Sequence, residues 1–186
     1  MTRNQIIALQ ERIGTTPDGF WGPKSIQDCQ RHLRGMMPKP SPWSKQDAQS
    51  LIRFYGPPGE KNLVSLSVNH LPIRYAGNPV KSIRCHALVA DSLLRVLADI
   101  ASGPHAKILT EYAGCYNYRP MRNGIRISTH AWGIAIDLAA EYNANSRNWP
   151  VSAAMPIGVM ESFAREGWLA AGAFWGRDAM HFQATQ

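Results

Sequence analysis

The chain has 186 residues, 45% of them hydrophobic, and 20 Lys and Arg against 13 Asp and Glu give a formal net charge of +7. The hydrophobic share excludes wholesale disorder, and the length allows one domain, or one domain with a small module. The charge suits an anionic partner, either nucleic acid or a polymer such as a bacterial wall, but no Lys/Arg-rich block typical of nucleic-acid binding is present.

The N-terminal residues do not resemble a secretory signal. A short apolar patch is followed by Glu11 and Arg12, without a cleavage site. No apolar run reaches the roughly 18 residues that a membrane helix needs. We therefore expect synthesis in the cytoplasm and no membrane insertion. The cysteines, Cys29, Cys85 and Cys115, are too few and too widely spaced for a disulfide framework or a Cys-based zinc site.

The first 36 residues predict a short all-α module. Apolar residues recur at helical spacing within 4–13, and Pro23 suits the first turn of a second helix. Prolines at 38, 40 and 42 predict a stiff linker, and Ser44 can cap a short helix that ends near Phe54. We expect a helical module over 1–36, a linker and connecting helix over 37–60, and a second domain over 61–186.

The second domain mixes helices and strands without regular alternation. The patterns predict helices over 82–101 and 156–166, and strands over 63–68, 107–113, 134–138 and 180–183. The expected fold class is therefore α+β, with a small mixed or antiparallel sheet and flanking helices.

The strand predicted over 134–138 carries the most informative chemistry. Asp137 shares one face of this strand with small residues, and His130 lies just before it. Asp178 and His181 lie near the C-terminus. Two His and one Asp form a reasonable ligand set for catalytic zinc with one position open to water, and the other Asp could then transfer a proton. By spacing alone, a metal site and a set of structural hydrogen bonds remain about equally good interpretations.

The two segments together resemble the zinc peptidases that cut peptidoglycan stem peptides. These include D-alanyl-D-alanine carboxypeptidases and phage L-alanyl-D-glutamate endopeptidases, with the pattern S-x-H-x-x-G-x-A-x-D followed by (E/D)-x-x-H. The pattern is filled here by Ser128, His130, Gly133, Ala135, Asp137, Asp178 and His181. The resemblance covers about residues 60–186. It implies that His130, Asp137 and His181 bind one Zn²⁺ per chain. It also implies that Asp178 is the general acid/base.

The same family carries an arginine before the motif, often in a Gly-Tyr-Arg context. Arg119 is the better match and Arg122 is its rival. A guanidinium there would hold a substrate carboxylate or stabilise an oxyanion. The resemblance also implies that Ser128 hydrogen-bonds near the ligands. Trp132 and Trp175 flank the motifs and could line a substrate groove, although core packing is an equally good interpretation.

Residues 3–34 resemble the small helical peptidoglycan-binding domain with the signature D-G-x-F-G-P-x-T. The corresponding residues are Asp18, Gly19, Phe20, Trp21, Gly22, Pro23, Lys24 and Ser25. The segment is shorter than the usual three-helix domain. The resemblance implies wall binding through Phe20 and Trp21, and a purely structural cap is the alternative.

These resemblances imply zinc-dependent hydrolysis of a stem-peptide bond, with an L-alanyl-D-glutamate endopeptidase acting as a phage endolysin as first choice. The alternative is a D-alanyl-D-alanine carboxypeptidase, and another class is a non-catalytic wall-binding protein with structural zinc. We expect a monomer that binds bacterial peptidoglycan and no nucleic acid. From the host cytoplasm it would need a membrane-permeabilising partner such as a holin to reach the wall.

Overall fold

A computed structural model describes residues 1–121 and 124–186, so Arg122 lies outside the described residues. The α-helices are α1 (Arg3–Arg12), α2 (Pro23–Met36), α3 (Ala48–Tyr55), α4 (Ala90–Ser102), α5 (Ala140–Asn143), α6 (Ile157–Arg165) and α7 (Ala171–Trp175). The strands are β1 (Leu63–Ser67), β2 (Arg74–Tyr75), β3 (Asn78–Pro79), β4 (Ser82–His86), β5 (Tyr112–Gly114), β6 (Ala135–Leu138), β7 (Leu169–Ala170) and β8 (His181–Gln183). Short 3₁₀ helices span Ala87–Val89, Ala106–Glu111 and Thr129–Trp132.

The fold is α+β, as the sequence predicts, and its sheets are antiparallel. A four-stranded sheet has the order β5-β6-β8-β7, and two further pairs join β1 with β4 and β2 with β3. The buried side of the main sheet packs on α6, where the Phe163 ring stacks on Phe182 of β8 with centroids 3.9 Å apart. Trp168 packs against Phe163 and donates its indole hydrogen to Ser92 of α4 over 2.9 Å. The sheet thus has one face on the core and is held in place from behind.

The helix predicted over 82–101 is wrong at its start. Residues 82–86 form β4, which pairs with β1, and the helix begins only at Ala90. Ile83 and Cys85 are buried whereas Ser82 and Arg84 are exposed, which is the two-residue period of a strand. The apolar residues of this segment were compatible with both periods, and the partner strand β1 lies about twenty residues upstream.

Two smaller predictions also differ from the structure. The strand predicted over 107–113 is mostly the 3₁₀ helix Ala106–Glu111, and β5 begins at Tyr112. The cap of α3 is Asp47, whose carboxylate accepts from the Ser50 N–H over 2.9 Å. Ser44 instead donates its hydroxyl hydrogen to the Lys45 carbonyl. An ionised cap satisfies the first-turn N–H groups and suits the positive end of the helix.

Helices α1 and α2 are joined to α6 by a buried carboxylate. Glu161 of α6, whose side chain is 4% exposed, accepts hydrogen bonds from Arg12 at the end of α1. Its other contact is with His32 Nε2 of α2, 2.9 Å from Oε1. Leu9 and Leu33 from the same two helices belong to the common hydrophobic core. The first 36 residues are therefore anchored on the sheet-backing helix by both charge and apolar contact.

Among the described residues, no helix is both long enough and apolar enough to cross a bilayer.

The buried Glu161 carboxylate should make the stability of the fold sensitive to acid. Burial alone would raise its pKa, but the hydrogen bonds from Arg12 and His32 outweigh burial and lower the pKa from 4.5. A lowered folded-state pKa contributes stability that is present above the unfolded value and is lost as pH falls through the folded one. We expect the free energy of unfolding to decrease below about pH 4.5, and Glu161→Gln to flatten this limb in denaturant titrations. The control Glu141→Gln removes an exposed carboxylate and should leave this acid-dependent loss of stability unchanged. If Glu161→Gln also leaves it unchanged, Glu161 is not the group responsible.

Candidate metal centre and active site

Two neighbouring strands and one 3₁₀ helix bring three candidate ligands together. Asp137 on β6 lies directly opposite His181 on β8 in the antiparallel register. Directly opposed side chains in such a pair lie on the same face of the sheet and in contact distance. The 3₁₀ helix Thr129–Trp132 ends just before β6 and places His130 beside them. These three residues, separated by up to 51 positions in the sequence, form a single group whose ligand atoms all lie within 4.8 Å of one another.

The three donor atoms form a compact triangle. His130 Nε2 lies 3.1 Å from His181 Nδ1 and 3.3 Å from Asp137 Oδ1, and His181 Nδ1 lies 3.0 Å from the same oxygen. A tetrahedral zinc site with ligand distances of roughly 2.0–2.1 Å places donor atoms about 3.3–3.4 Å apart. The triangle is therefore close to one face of a zinc tetrahedron, which leaves the fourth position for water or substrate.

The outer hydrogen bonds of the two imidazoles determine which nitrogens face the centre. His130 Nδ1 donates to the Cys115 carbonyl over 2.5 Å, and His181 Nε2 donates to Gln183 Oε1 over 3.1 Å. Both partners are oxygen acceptors, so the outer nitrogens carry the hydrogens and the inner nitrogens present lone pairs. Two lone pairs and a carboxylate oxygen then converge within 3.3 Å. A cation between them removes their mutual repulsion, and this donor set suits a divalent transition metal.

Gln183 has its own orientation set by two hydroxyl groups. Thr129 donates to Gln183 Oε1 over 3.2 Å, and the Gln183 amide nitrogen donates to Thr185 over 2.6 Å. The amide oxygen therefore faces His181 and fixes its tautomer. Gln183 lies outside the sequence motifs. Its position two residues after His181 on a strand, and therefore on the same face, was the available signal.

The titration of the centre favours an ionised carboxylate. Burial would raise the pKa of Asp137. When the inner imidazole nitrogens are protonated, however, hydrogen bonds from His130 and His181 outweigh burial and lower this pKa well below its usual range. Burial would lower the pKa of His181, whereas Asp137, Gln183 and the charge of Asp178 raise it, and the net shift is upward. Asp137 is thus an anionic ligand across the physiological pH range.

Ser128 and Gly133 shape the turn that presents His130. The buried Ser128 hydroxyl accepts from the His130 N–H over 3.4 Å and caps the 3₁₀ helix. Gly133 has a φ of 67°, and a Cβ there would lie 2.9 Å from the His86 nitrogen. Only glycine combines this left-handed conformation with such close backbone approach. Ser128 therefore hydrogen-bonds to the backbone N–H of the candidate ligand His130.

Asp178 lies in the turn that precedes the candidate ligand His181. It adopts a left-handed conformation with φ of 59°, and its carbonyl accepts from the His181 N–H over 2.9 Å, forming a tight turn before β8. One of its carboxylate oxygens is buried, and its charge acts on His181. Among the described residues, the group able to hold a metal consists of His130, Asp137 and His181 without Asp178. Asp178 therefore precedes a candidate ligand in the chain without belonging to the ligand group.

A groove of about 480 Å³ opens onto the centre. It is lined by Tyr75, Ser82, Ile83, Arg84, Tyr112, Ala113, Gly114, Cys115, Tyr116, Asn117, Arg119, His130 and Asp137. Arg119 is half-buried, and its carbonyl accepts from the Ser128 N–H over 3.1 Å, which ties it to the His130 turn. The structure thus places Arg119 along the same groove as two of the three candidate ligands, and its Nη1 donates to the Pro120 carbonyl over 3.2 Å.

The two candidate tryptophans lie in different environments. Trp175 is 40% exposed, and its ring centroid lies 5.8 Å from that of His181. Trp132 is buried in the core and donates its indole hydrogen to the Gly56 carbonyl over 2.9 Å. Trp175 is therefore able to meet a ligand at the centre, whereas Trp132 supports the turn from inside.

The candidate wall-binding residues also differ. Phe20 is 71% exposed. Trp21 is half-buried and packs edge-on against Trp149, with centroids 5.4 Å apart. Phe20 is thus available to a partner, whereas Trp21 helps to hold the loop between α1 and α2 against the rest of the protein.

Comparison with known proteins links this site to one family. Residues 122–184 match a family model described as D-alanyl-D-alanine carboxypeptidase. The match covers about a third of the chain and includes His130, Asp137, Asp178 and His181. No curated protein and no solved structure matches the chain. The matched part is similar to D-alanyl-D-alanine carboxypeptidases, which supports a peptidoglycan peptidase activity, and the His/Asp/His group fits a metal centre of that kind.

The centre predicts metal binding that depends on His181. In His181→Ala only two of the three donor atoms remain. Loss of a residue that only hydrogen-bonds to a ligand typically lowers metal affinity by about 10–100-fold. We expect loss of a ligand itself to lower it by about 100-fold or more. Elemental analysis after dialysis would measure both the identity and the stoichiometry of the metal. His70→Ala, which removes an exposed histidine elsewhere, is the matched control and should retain the metal. Unchanged affinity in His181→Ala would remove this residue from the ligand set.

Proposed function

We propose that this protein is a zinc peptidase that hydrolyses a peptide bond in bacterial peptidoglycan stem peptides. The observation that carries the proposal is the convergence of His130 Nε2, His181 Nδ1 and Asp137 Oδ1 at zinc-like separations, in an open groove. A centre with three protein ligands and an accessible fourth position is typical of catalytic rather than structural zinc. The similarity of residues 122–184 to D-alanyl-D-alanine carboxypeptidases supports the same class.

The positions of the residues support the following roles. Zn²⁺ bound by the three ligands would supply Lewis acidity and lower the pKa of water to roughly 7. The Asp178 carboxylate accepts the proton of the attacking water and returns it to the leaving amine. The Arg119 guanidinium neutralises negative charge that develops on the scissile carbonyl oxygen or binds a substrate carboxylate. Gln183 and the Cys115 carbonyl keep the imidazoles oriented throughout.

The bond that we propose is the L-alanyl-D-glutamate bond, which would make the protein an endolysin of phage type. The aspartate at position 178 supports this, because the resemblance associates Asp at that position with phage endopeptidases. The second candidate is a D-alanyl-D-alanine carboxypeptidase, which the description of the matched family favours. The two activities release different products, an N-terminal fragment ending in L-alanine or free D-alanine.

In this proposal the enzyme is a monomer made in the host cytoplasm that acts on the wall after a holin-like partner permeabilises the membrane. Residues 1–36 form a wall-binding module joined through residues 37–60 to the peptidase domain over 61–186. The net charge of +7 supports attraction to an anionic wall rather than a specific nucleic-acid site.

If Asp178 is the general base, a substitution there should reduce turnover without reducing metal binding. Asp178→Asn keeps the size of the side chain but cannot accept a proton, and loss of a general base costs about 10²–10⁴ in rate. We expect this variant to bind metal normally and to lose most turnover, and Asp178→Glu to retain part of it. Mass spectrometry of digested muropeptides would measure turnover and identify the cleaved bond at once.

The outcomes of this experiment are distinct. Metal loss in Asp178→Asn would make Asp178 a ligand. Near-normal turnover with metal bound would exclude it as the base. A wild-type enzyme that binds metal and sacculi but cleaves no muropeptide would instead indicate a wall-binding protein with a structural metal.

The exposed Phe20 predicts a contribution to wall attachment. Removing residues 1–36 would expose buried Glu161 and part of the core, so a point variant is the cleaner test. Phe20→Ala should weaken co-sedimentation with peptidoglycan sacculi by about 3–10-fold, the loss of one partly buried aromatic contact, while hydrolysis of a small soluble muropeptide is unchanged. Ile52→Ala, which truncates an exposed apolar residue on α3, is the matched control. Unchanged sedimentation would leave the N-terminal helices as a structural cap.

A further inference from the structure

Arg84 is a second arginine in the groove to which the motif assigns no role. It lies on β4, where the alternation that buries Ile83 and Cys85 directs it outward, and it lines the groove together with Arg119, His130 and Asp137. Its position opposite Ser65 of β1 in a regular antiparallel pair gives it a fixed backbone.

The surroundings of Arg84 orient its side chain. The guanidinium carbon lies 5.2 Å from the centroid of the Tyr116 ring, in a cation–π contact. Two of its nitrogens face the Glu60 carboxylate, at 3.1 Å and 3.4 Å. The planar group is therefore held between an aromatic ring and a carboxylate, in the two-pronged manner that suits carboxylate recognition.

The elements around Arg84 are tied to the metal-binding turn. The Gly59 N–H next to Glu60 donates to the Ala131 carbonyl over 2.8 Å, and the Asn117 N–H next to Tyr116 donates to the His130 carbonyl over 3.1 Å. Both neighbours of Arg84 are thus positioned by the same turn that presents His130. Arg84 has a defined place relative to the reacting centre, unlike an ordinary surface arginine.

The charges that line the groove favour an anionic substrate. Its fixed cations are Arg84 and Arg119, and Asp137 is the one carboxylate among its lining residues in the described part of the chain. Asp137 is directed at the two imidazoles, where a metal ion would neutralise it. The groove is therefore lined by two arginines, and the guanidinium of Arg84 is paired with Glu60 until a substrate carboxylate replaces it.

We infer that Arg84 binds a carboxylate of the substrate and selects stem peptides with a free glutamate α-carboxylate over their amidated forms. This inference rests on the proposed function. The substrate carboxylate replaces Glu60 on the guanidinium. Breaking the Arg84–Glu60 pair costs little free energy because the pair is solvent-exposed and such pairs contribute little stability. A primary amide carries no charge, so it would bind the Arg84 guanidinium more weakly than a carboxylate does.

The test compares two synthetic stem peptides that differ only in a glutamate α-carboxylate or α-carboxamide. For the wild type we expect kcat/KM about threefold higher on the acid form, mostly through KM, as for one solvent-exposed ion pair. Arg84→Ala should remove this preference by raising KM for the acid form while kcat and the amide form change little. Arg84→Lys should restore part of it, and Glu60→Gln should lower KM for the acid form because the competing carboxylate is gone.

The matched control is Arg95→Ala, which removes an arginine with the same two-pronged glutamate pairing outside the groove. It should leave both KM values unchanged. If the wild type cleaves the peptides and Arg84→Ala keeps the acid preference, the inference is wrong and the proposed function stands. If the wild type cleaves neither peptide, the proposed function fails. Calorimetric binding of the same two peptides to wild type and Arg84→Ala then decides the role of Arg84, since equal affinities in both proteins would overturn it.

Discussion

The convergence of three electron-pair donors on one point is the constraint on which the rest of the structure depends. Two imidazole nitrogens and a carboxylate oxygen lie 3.0–3.3 Å apart, with the imidazole hydrogens committed to acceptors on the outside. Such an arrangement requires a positive charge, either from a metal ion between the donor atoms or from protonated imidazoles hydrogen-bonded to Asp137. The strand register opposing Asp137 and His181, the left-handed turn at Gly133 and the hydroxyl-oriented Gln183 all serve to hold it.

The scaffold behind the centre is rigid where the site requires it. Phe163 and Phe182 stack beneath the strand that carries His181, so the back of the sheet has little room to move. The N-terminal helices are fastened to the same α6 through Glu161. Wall attachment through Phe20 would therefore act on a body that is mechanically continuous with the active site, because no contact-free linker separates α2 from α6.

The charged residues of the groove relate the candidate metal centre to the proposed substrate. Asp137 keeps a negative charge at the ligand position, whereas two arginines, Arg84 and Arg119, line the remainder of the groove. Peptidoglycan stem peptides carry carboxylates close to the bonds that peptidases cut, so attraction and orientation would come from the same residues. A purely structural metal site would need neither an open groove nor a carboxylate such as Asp178 beside its ligands.

The sequence by itself determined the local features: the helices over 4–13 and 156–166, the strand at Ile136, and a histidine–aspartate motif whose spacing reflects one turn and one strand. These depend on interactions between near neighbours, which periodicity and glycine positions report. Only the tertiary structure decided that residues 82–86 form a strand, that Trp175 and not Trp132 lies beside His181, and that Arg84 enters the groove. Each of these depends on a partner distant in sequence, such as β1 for β4 or Gly56 for Trp132, and local propensity carries no information about such partners.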